Sequence, residues 1–228
     1  MADGLASILP AAAVAVERGS ILDDTTASSE PGGLHPIEEA LIAGAGEARR
    51  REFAEARACA REALTKLGAH AEAIGATPDG APVWPEHVVG SITHKGGYRA
   101  AAVAWADDLA GIGIDAEPDV RLPHGVLETI ASPGELDRVE ALLERHPGLA
   151  WDRLLFCAKE AAVKAAHPLG LGVAGVRAVE VALDAQGFAL DAQGFYSAQA
   201  AATAAFPEMT GSWVAAGGML LTVVSVPR

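Results

Sequence analysis

The chain has 228 residues, half of them hydrophobic, and a formal charge of -13 from 17 basic and 30 acidic side chains. That length supports a sizeable core, in one domain or two small ones, and apolar residues spread along the whole chain exclude a disordered protein. Neither half is net basic, which argues against nonspecific nucleic-acid binding; an anionic ligand must meet a local cluster of Lys and Arg.

Residues 1–10 have no positive flank ahead of their apolar side chains, so they lack the asymmetry of a secretory signal. No run approaches the roughly 20 apolar residues of a membrane span. The two cysteines, Cys59 and Cys157, fall in helix-like segments and suit free thiols in a reducing cytoplasm.

In chain order, 19–36 is rich in Ser, Thr, Asp, Gly and Pro and predicts a surface loop after a short extended entry. From 36 to 68 the pattern is helical, with Phe53, Ala56, Ala60 and Leu64 on one stripe and Gly68 as the stop. A turn-rich link, 75–85, leads into strand, Gly96-Gly97 turn and strand over 88–105. The run 111–118 predicts a buried strand ended by Pro118. Helices follow at 132–143, opened by a Ser-Pro-Gly-Glu cap, and at 151–166, closed before Pro168. Residues 176–226 alternate apolar runs with turns at Gln186-Gly187, Gln193-Gly194 and Gly217-Gly218, predicting antiparallel strands. Helix followed by strands occurs in both halves, which allows two related subdomains, 1–105 and 106–228, in an α/β (α+β) fold.

Asp115 and Glu117 stand two apart on a strand, so both carboxylates leave one face and need a cation or protons to coexist. Hard oxygen donors suit Mg²⁺, which is satisfied by few protein carboxylates plus water and phosphate. By itself D-x-E equally describes two solvated acids. On the 151–166 helix, Trp151, Leu154, Leu155, Ala158, Ala162 and Ala165 share one face and Arg153, Phe156, Glu160, Lys164 and His167 the other. Glu160 and Lys164 therefore point together, as a surface i,i+4 pair or as part of a site. Arg50, Arg57 and Arg61 edge the apolar stripe of the earlier helix, with Arg49 a quarter-turn away; they read as a salt-bridged surface or as a clamp for a phosphate dianion. His94 fits either a hydrogen-bonded buried histidine or a phosphate contact.

Taken in order, Gly90-Ser91-Ile92-Thr93-His94, Gly111-Ile112-Gly113-Ile114-Asp115-Ala116-Glu117-Pro118 and Phe156-Cys157-Ala158-Lys159-Glu160-Ala161-Ala162-Val163-Lys164 resemble the signatures of the surfactin-type 4′-phosphopantetheinyl transferases. Arg49-Arg50-Arg51-Glu52-Phe53 to Arg61, the Trp84-Pro85 step and 218–224 resemble the branch that serves siderophore synthesis, so the likeness spans about 36–226. The resemblance implies a cytoplasmic monomer of two similar subdomains related by pseudo-two-fold symmetry, with coenzyme A between them. It also implies transfer of phosphopantetheine to apo acyl or peptidyl carrier domains of nonribosomal peptide or polyketide synthases.

Carried over by position, Asp115, Glu117 and Glu160 would bind Mg²⁺, with Mn²⁺ as its substitute. Lys159 and Lys164 would contact coenzyme A phosphates, Arg49 and Arg57 the 3′-phosphate end, and Thr93 and His94 the cofactor from the N-terminal side. Glu160, Lys164 and Asp115 would carry catalysis, the serine proton going to Glu160 or to a water held by Asp115. One departure is that 75–82 holds no basic residue where related enzymes carry lysines, which removes one nucleotide contact. The competing functions are a coenzyme A-binding regulator with a weak site and a Mg²⁺-dependent coenzyme A pyrophosphate hydrolase.

Overall fold

A computed structural model describes residues 4–19, 33–70, 73–170, 173, 175–183, 193–200 and 209–228. Most of the anticipated 19–36 loop and the Gln186-Gly187 turn lie outside these residues.

The N-terminal half contains β1 (Ala13–Arg18), α1 (Pro36–Leu41), α2 (Glu47–Leu67), β2 (Val88–Lys95) and β3 (Tyr98–Trp105). The single helix expected over 36–68 is thus two helices. α1 is opened by a His35 capping box with Pro36 in its first turn, and α2 starts afresh after Gly46 and stops at Gly68 in the left-handed region, a conformation glycine adopts without steric penalty.

The C-terminal half contains β4 (Leu109–Pro118), α3 (Val126–Ile130), α4 (Pro133–Arg145), α5 (Trp151–Ala166), β5 (Val179–Leu183), β6 (Gln193–Ala200), β7 (Met209–Ala216) and β8 (Met219–Pro227). Gln193-Gly194, expected as a turn, opens strand β6 instead. Gly217-Gly218 is a two-residue hairpin turn with both glycines at positive φ, the geometry that matches strand twist.

Among the described residues the strands form two antiparallel sheets, ordered β1-β3-β2 and β4-β8-β7-β6-β5. The fold is therefore mixed α+β, with a long helix laid on a small antiparallel sheet in each half.

Period-two alternation assigns each strand residue its layer. In β3, Ala101 and Val103 pack with Cys59, Ala60 and Leu64 of α2, while Ala100, Ala102 and Ala104 face a core shared with Ile112, Ile114 and Ala116 of β4. In β4 those same apolar residues send Gly111, Gly113, Asp115 and Glu117 to the opposite face. A Cβ built on Gly113 would lie 1.9 Å from the Ala161 carbonyl oxygen, and one on Gly111 2.2 Å from that of Ala165. Only a strand without side chains at these two points lets α5 settle directly on it.

α5 itself buries Trp151, Leu154, Leu155, Ala158, Ala162 and Ala165, the face the periodicity predicts. Trp151 meets Trp213 edge-on at 5.5 Å between centroids, a geometry worth about 1 kcal/mol beyond area burial. Both cysteines are buried and free.

Candidate active site

Two glycines bring α5 onto β4, and the next two residues on that face of β4 are Asp115 and Glu117. The helix therefore delivers its polar edge, Glu160 and Lys164, beside the strand's acids. Lys164 Nζ donates to Asp115 Oδ1 at 2.6 Å and to the Ile114 carbonyl at 3.0 Å. Burial pulls the Lys164 ammonium toward neutrality, but the charge and hydrogen bond of Asp115 outweigh it and hold its pKa above the usual lysine value.

Asp115 Oδ1 also accepts from Thr93 Oγ1 of β2 at 3.2 Å. Asp115 Oδ2 is buried with no hydrogen-bond partner among the described residues. Burial first, then the charge of Asp115, raises the Glu160 carboxyl above the ordinary range; Lys164 opposes this and Glu117 adds to it. The three acids thus form one electrostatically coupled group.

Glu117 is buried, with Oε1 2.9 Å from Lys95 Nζ and Oε2 3.0 Å from the Arg153 guanidinium. Arg153 also donates to the Val120 and Arg121 carbonyls. Asp152 accepts from Arg121 Nε and the Leu122 amide, and Asp119 from the Ala150 amide. These bonds fasten the chain after β4 to the start of α5. Among the described residues no three His, Cys, Asp or Glu side chains gather closely enough to hold a metal unaided. Glu117 has both oxygens on cations.

On the N-terminal side, Arg49 lies against His94, with 2.8 Å between the guanidinium and Nε2. Burial, then the positive charge of Arg49, lowers the His94 pKa below the usual imidazole value. Arg49 is exposed and pairs loosely with Glu52 at 3.3 Å.

The other expected cations are engaged elsewhere. Arg57 is buried over the Phe53 ring and donates to the Ile74 carbonyl. Arg61 binds both oxygens of the fully buried Glu38, and Arg50 donates to the Ile42 carbonyl. Lys159, expected at a cofactor phosphate, is 1% exposed; it pairs with buried Glu135 at 2.9 Å and donates to the Val176 and Val179 carbonyls.

The structure therefore brings Thr93, Asp115, Glu117, Glu160 and Lys164 together, with Arg49 beside His94, and keeps Lys159 and Arg57 in the walls. Sequence reasoning missed Lys95 and Arg153. Arg153 shares the polar face of α5 with Glu160, two turns earlier, and that spacing was its signal. Lys95 had none.

Carboxylates coupled to a charged lysine suit an enzyme that acts on a phosphate-bearing substrate. The model of the 4′-phosphopantetheinyl transferase N-terminal domain matches residues 37–104, and that of the 4′-phosphopantetheinyl transferase superfamily matches residues 111–208. The chain is 38% identical over 222 residues to the 4′-phosphopantetheinyl transferase Svp of Streptomyces mobaraensis, covering 97% of this chain and 89% of that one. It is 50% identical over 163 residues to the 4′-phosphopantetheinyl transferase Npt of Nocardia iowensis, covering 72% and 69% of the two chains. It is 44% identical over 170 residues to the 4′-phosphopantetheinyl transferase PptT of Mycobacterium tuberculosis, covering 72% and 70%. The chain belongs to the 4′-phosphopantetheinyl transferase superfamily, and it is a transferase.

Proposed function

We propose that the chain moves the 4′-phosphopantetheine arm of coenzyme A to a serine of an apo carrier protein and releases adenosine 3′,5′-bisphosphate. One observation carries this reading: a buried carboxylate, Asp115, has one oxygen on the charged Lys164 and the other without a hydrogen-bond partner among the described residues, beside a Glu160 whose pKa is raised.

The reacting centre is a phosphorus of a diphosphate, where crowded negative charge is the obstacle. Catalysis then consists of in-line positioning and neutralisation of oxygens. An orphaned carboxylate oxygen among further carboxylates fits a hard divalent cation. Asp115 and Glu160, with Glu117 alongside, would hold Mg²⁺ or Mn²⁺, since one or two protein carboxylates suffice when water and phosphate complete the shell. When bound, the ion supplies charge neutralisation at the transferred phosphate.

Lys164, kept protonated by Asp115, stabilises the departing phosphate. Glu160, or a water held by Asp115, accepts the serine proton. Thr93 holds Asp115 in place. Arg49 meets the 3′-phosphate end and His94 the diphosphate, while Arg57 and Lys159 support the walls that carry these residues. The work divides between residues 1–105, which grip the nucleotide, and 106–228, which carry the acids and α5.

The carriers are acyl or peptidyl domains of nonribosomal peptide or polyketide synthases; the likeness of 49–61 and 84–85 to the siderophore branch supports that pathway. Among the described residues no helix is long and apolar enough to cross a membrane. We place the protein in the cytoplasm, on the strength of its two free cysteines, and take it as a monomer from its likeness to the family.

Incubation with Mg²⁺, coenzyme A and an apo carrier, followed by intact-mass measurement, tests the reading. The expected result is a carrier heavier by one phosphopantetheine. An unmodified carrier with intact coenzyme A indicates a binding protein, and coenzyme A cleavage without carrier modification a hydrolase.

A further inference from the structure

The acid group is already neutralised by the chain's own cations. Asp115 has Lys164, and Glu117 has Arg153 and Lys95. A divalent ion entering this balanced set adds positive charge, so the cation held most weakly is the one to leave.

The three differ sharply in how they are held. Lys164 makes a 2.6 Å pair and a second bond to a carbonyl. Arg153, 15% exposed, makes a 3.0 Å pair and two further bonds to the Val120 and Arg121 carbonyls. Among the described residues Lys95 makes a single pair, to Glu117 Oε1 at 2.9 Å, and its side chain is 45% exposed against 6% for Glu117.

Lys95 is the last residue of β2, where it faces Tyr98 across the Gly96-Gly97 turn, so it reaches the acids from the other half of the chain. Its charge also acts on Glu160, opposing the rise in that group's pKa. Lys95 therefore pairs with one of the three acids and acts on a second through its charge.

We propose that Lys95 is a built-in counter-ion that a divalent cation displaces from Glu117 Oε1, so that Lys95 sets how tightly the acid group takes up the metal. Displacement would free the Glu117 carboxylate to help Asp115 and Glu160 hold the ion. Arg153 keeps Oε2 and with it the orientation of Glu117. The flexible Lys95 stem swings into solvent with little loss, as half-exposed lysines do. Lys95 is in this sense a positioning residue that acts through Glu117. The inference rests on the carboxylate metal site proposed above and adds the residue that regulates its affinity.

The test is direct titration of Mn²⁺ into the full-length protein, with free Mn²⁺ read from its electron paramagnetic resonance signal at fixed ionic strength. Repeating it with saturating coenzyme A covers a site that needs the substrate's phosphates. Lys95→Met should bind Mn²⁺ about three- to tenfold more tightly than wild type, the range expected for removing one partly exposed competing charge. Lys95→Arg, which retains the competing charge, should stay near wild type, and Asp115→Asn should lose binding.

Mn²⁺ affinity that is unchanged or weaker in Lys95→Met overturns the counter-ion role while leaving the metal site standing, provided Asp115→Asn still abolishes binding. Wild-type protein that takes up no Mn²⁺ even with coenzyme A sinks the metal site itself and the inference with it. Lys95→Gln, judged by the same titration and by its melting temperature, replaces Lys95→Met if that variant misfolds.

Discussion

The two walls of the site are built on different physical terms. On the C-terminal wall, backbone meets backbone: β4 and α5 approach so closely that two glycines are required, and Asp115 and Lys164 are fixed where that contact puts them. On the N-terminal wall the charges ride on a helix surface. Three arginines are consumed internally, Arg61 by Glu38, Arg57 by the Ile74 carbonyl and Arg50 by the Ile42 carbonyl, while Arg49 stays exposed beside His94. The wall proposed for chemistry is thus preorganised, whereas the wall proposed for nucleotide contact adapts through a long, solvated side chain. Similar charge in a sequence can mean either arrangement, and what decides is how much backbone stands behind it.

The rigid wall is the more sensitive of the two to substitution. Glu160→Gln should lower carrier modification by at least about a hundredfold, measured as initial rate by mass spectrometry. Its stability should move the other way. The folded pKa of Glu160 is raised, so the penalty for ionising it is absent below the unfolded pKa, grows through the window between the two values and is complete above the folded one. At neutral pH the metal-free variant should therefore melt no lower than wild type; a clear drop would mean that Glu160 supports the fold.

Gly113→Ala should remove about 3 kcal/mol or more of stability in denaturant unfolding, because its methyl group meets the Ala161 carbonyl rather than a movable side chain. A variant of wild-type stability would show that α5 can lift off β4.

At the adaptable wall the effects are smaller. Arg49→Ala should raise KM for coenzyme A about tenfold with little change in kcat, the loss of one charge-assisted phosphate contact. An equal fall in kcat would move Arg49 to the reacting centre. The gentlest probe is the His94 titration followed by NMR. Burial and then Arg49 depress its pKa below the usual imidazole value, so the free protein should lose stability as pH falls through the window from the unfolded to the folded pKa. Coenzyme A should raise that pKa by placing a dianion against Arg49; an unchanged or lower value would remove the phosphate from His94.

Much of this was legible in the sequence where one periodicity governs one element. The alternation of β4 and the helical spacing of α5 put Asp115, Glu117, Glu160 and Lys164 on the correct faces before any coordinates. Legibility failed where the deciding partner comes from another element. Lys159 and Lys164 are five residues apart and similar in sequence terms, yet Glu135 at the start of α4 draws the first into the core while Asp115 draws the second to the site. The basic stripe of α2 stayed open between a salt-bridged surface and a clamp because nothing local reveals that Glu38 of α1 is fully buried against Arg61. Lys95 was invisible for the same reason, its partner lying across the junction of the two halves.

The burial of the two cysteines has a chemical consequence of its own. Burial raises the Cys59 pKa to about 11, and burial together with the charge of Asp115 lifts that of Cys157 well above its usual value. Both stay protonated and shielded, hence poor nucleophiles. The arm that this enzyme is proposed to handle ends in a free sulfhydryl, so the protein around it offers no rival sulfur for mixed-disulfide formation. Alkylating or fluorescent maleimide chemistry directed at that arm should accordingly label the substrate and spare the enzyme.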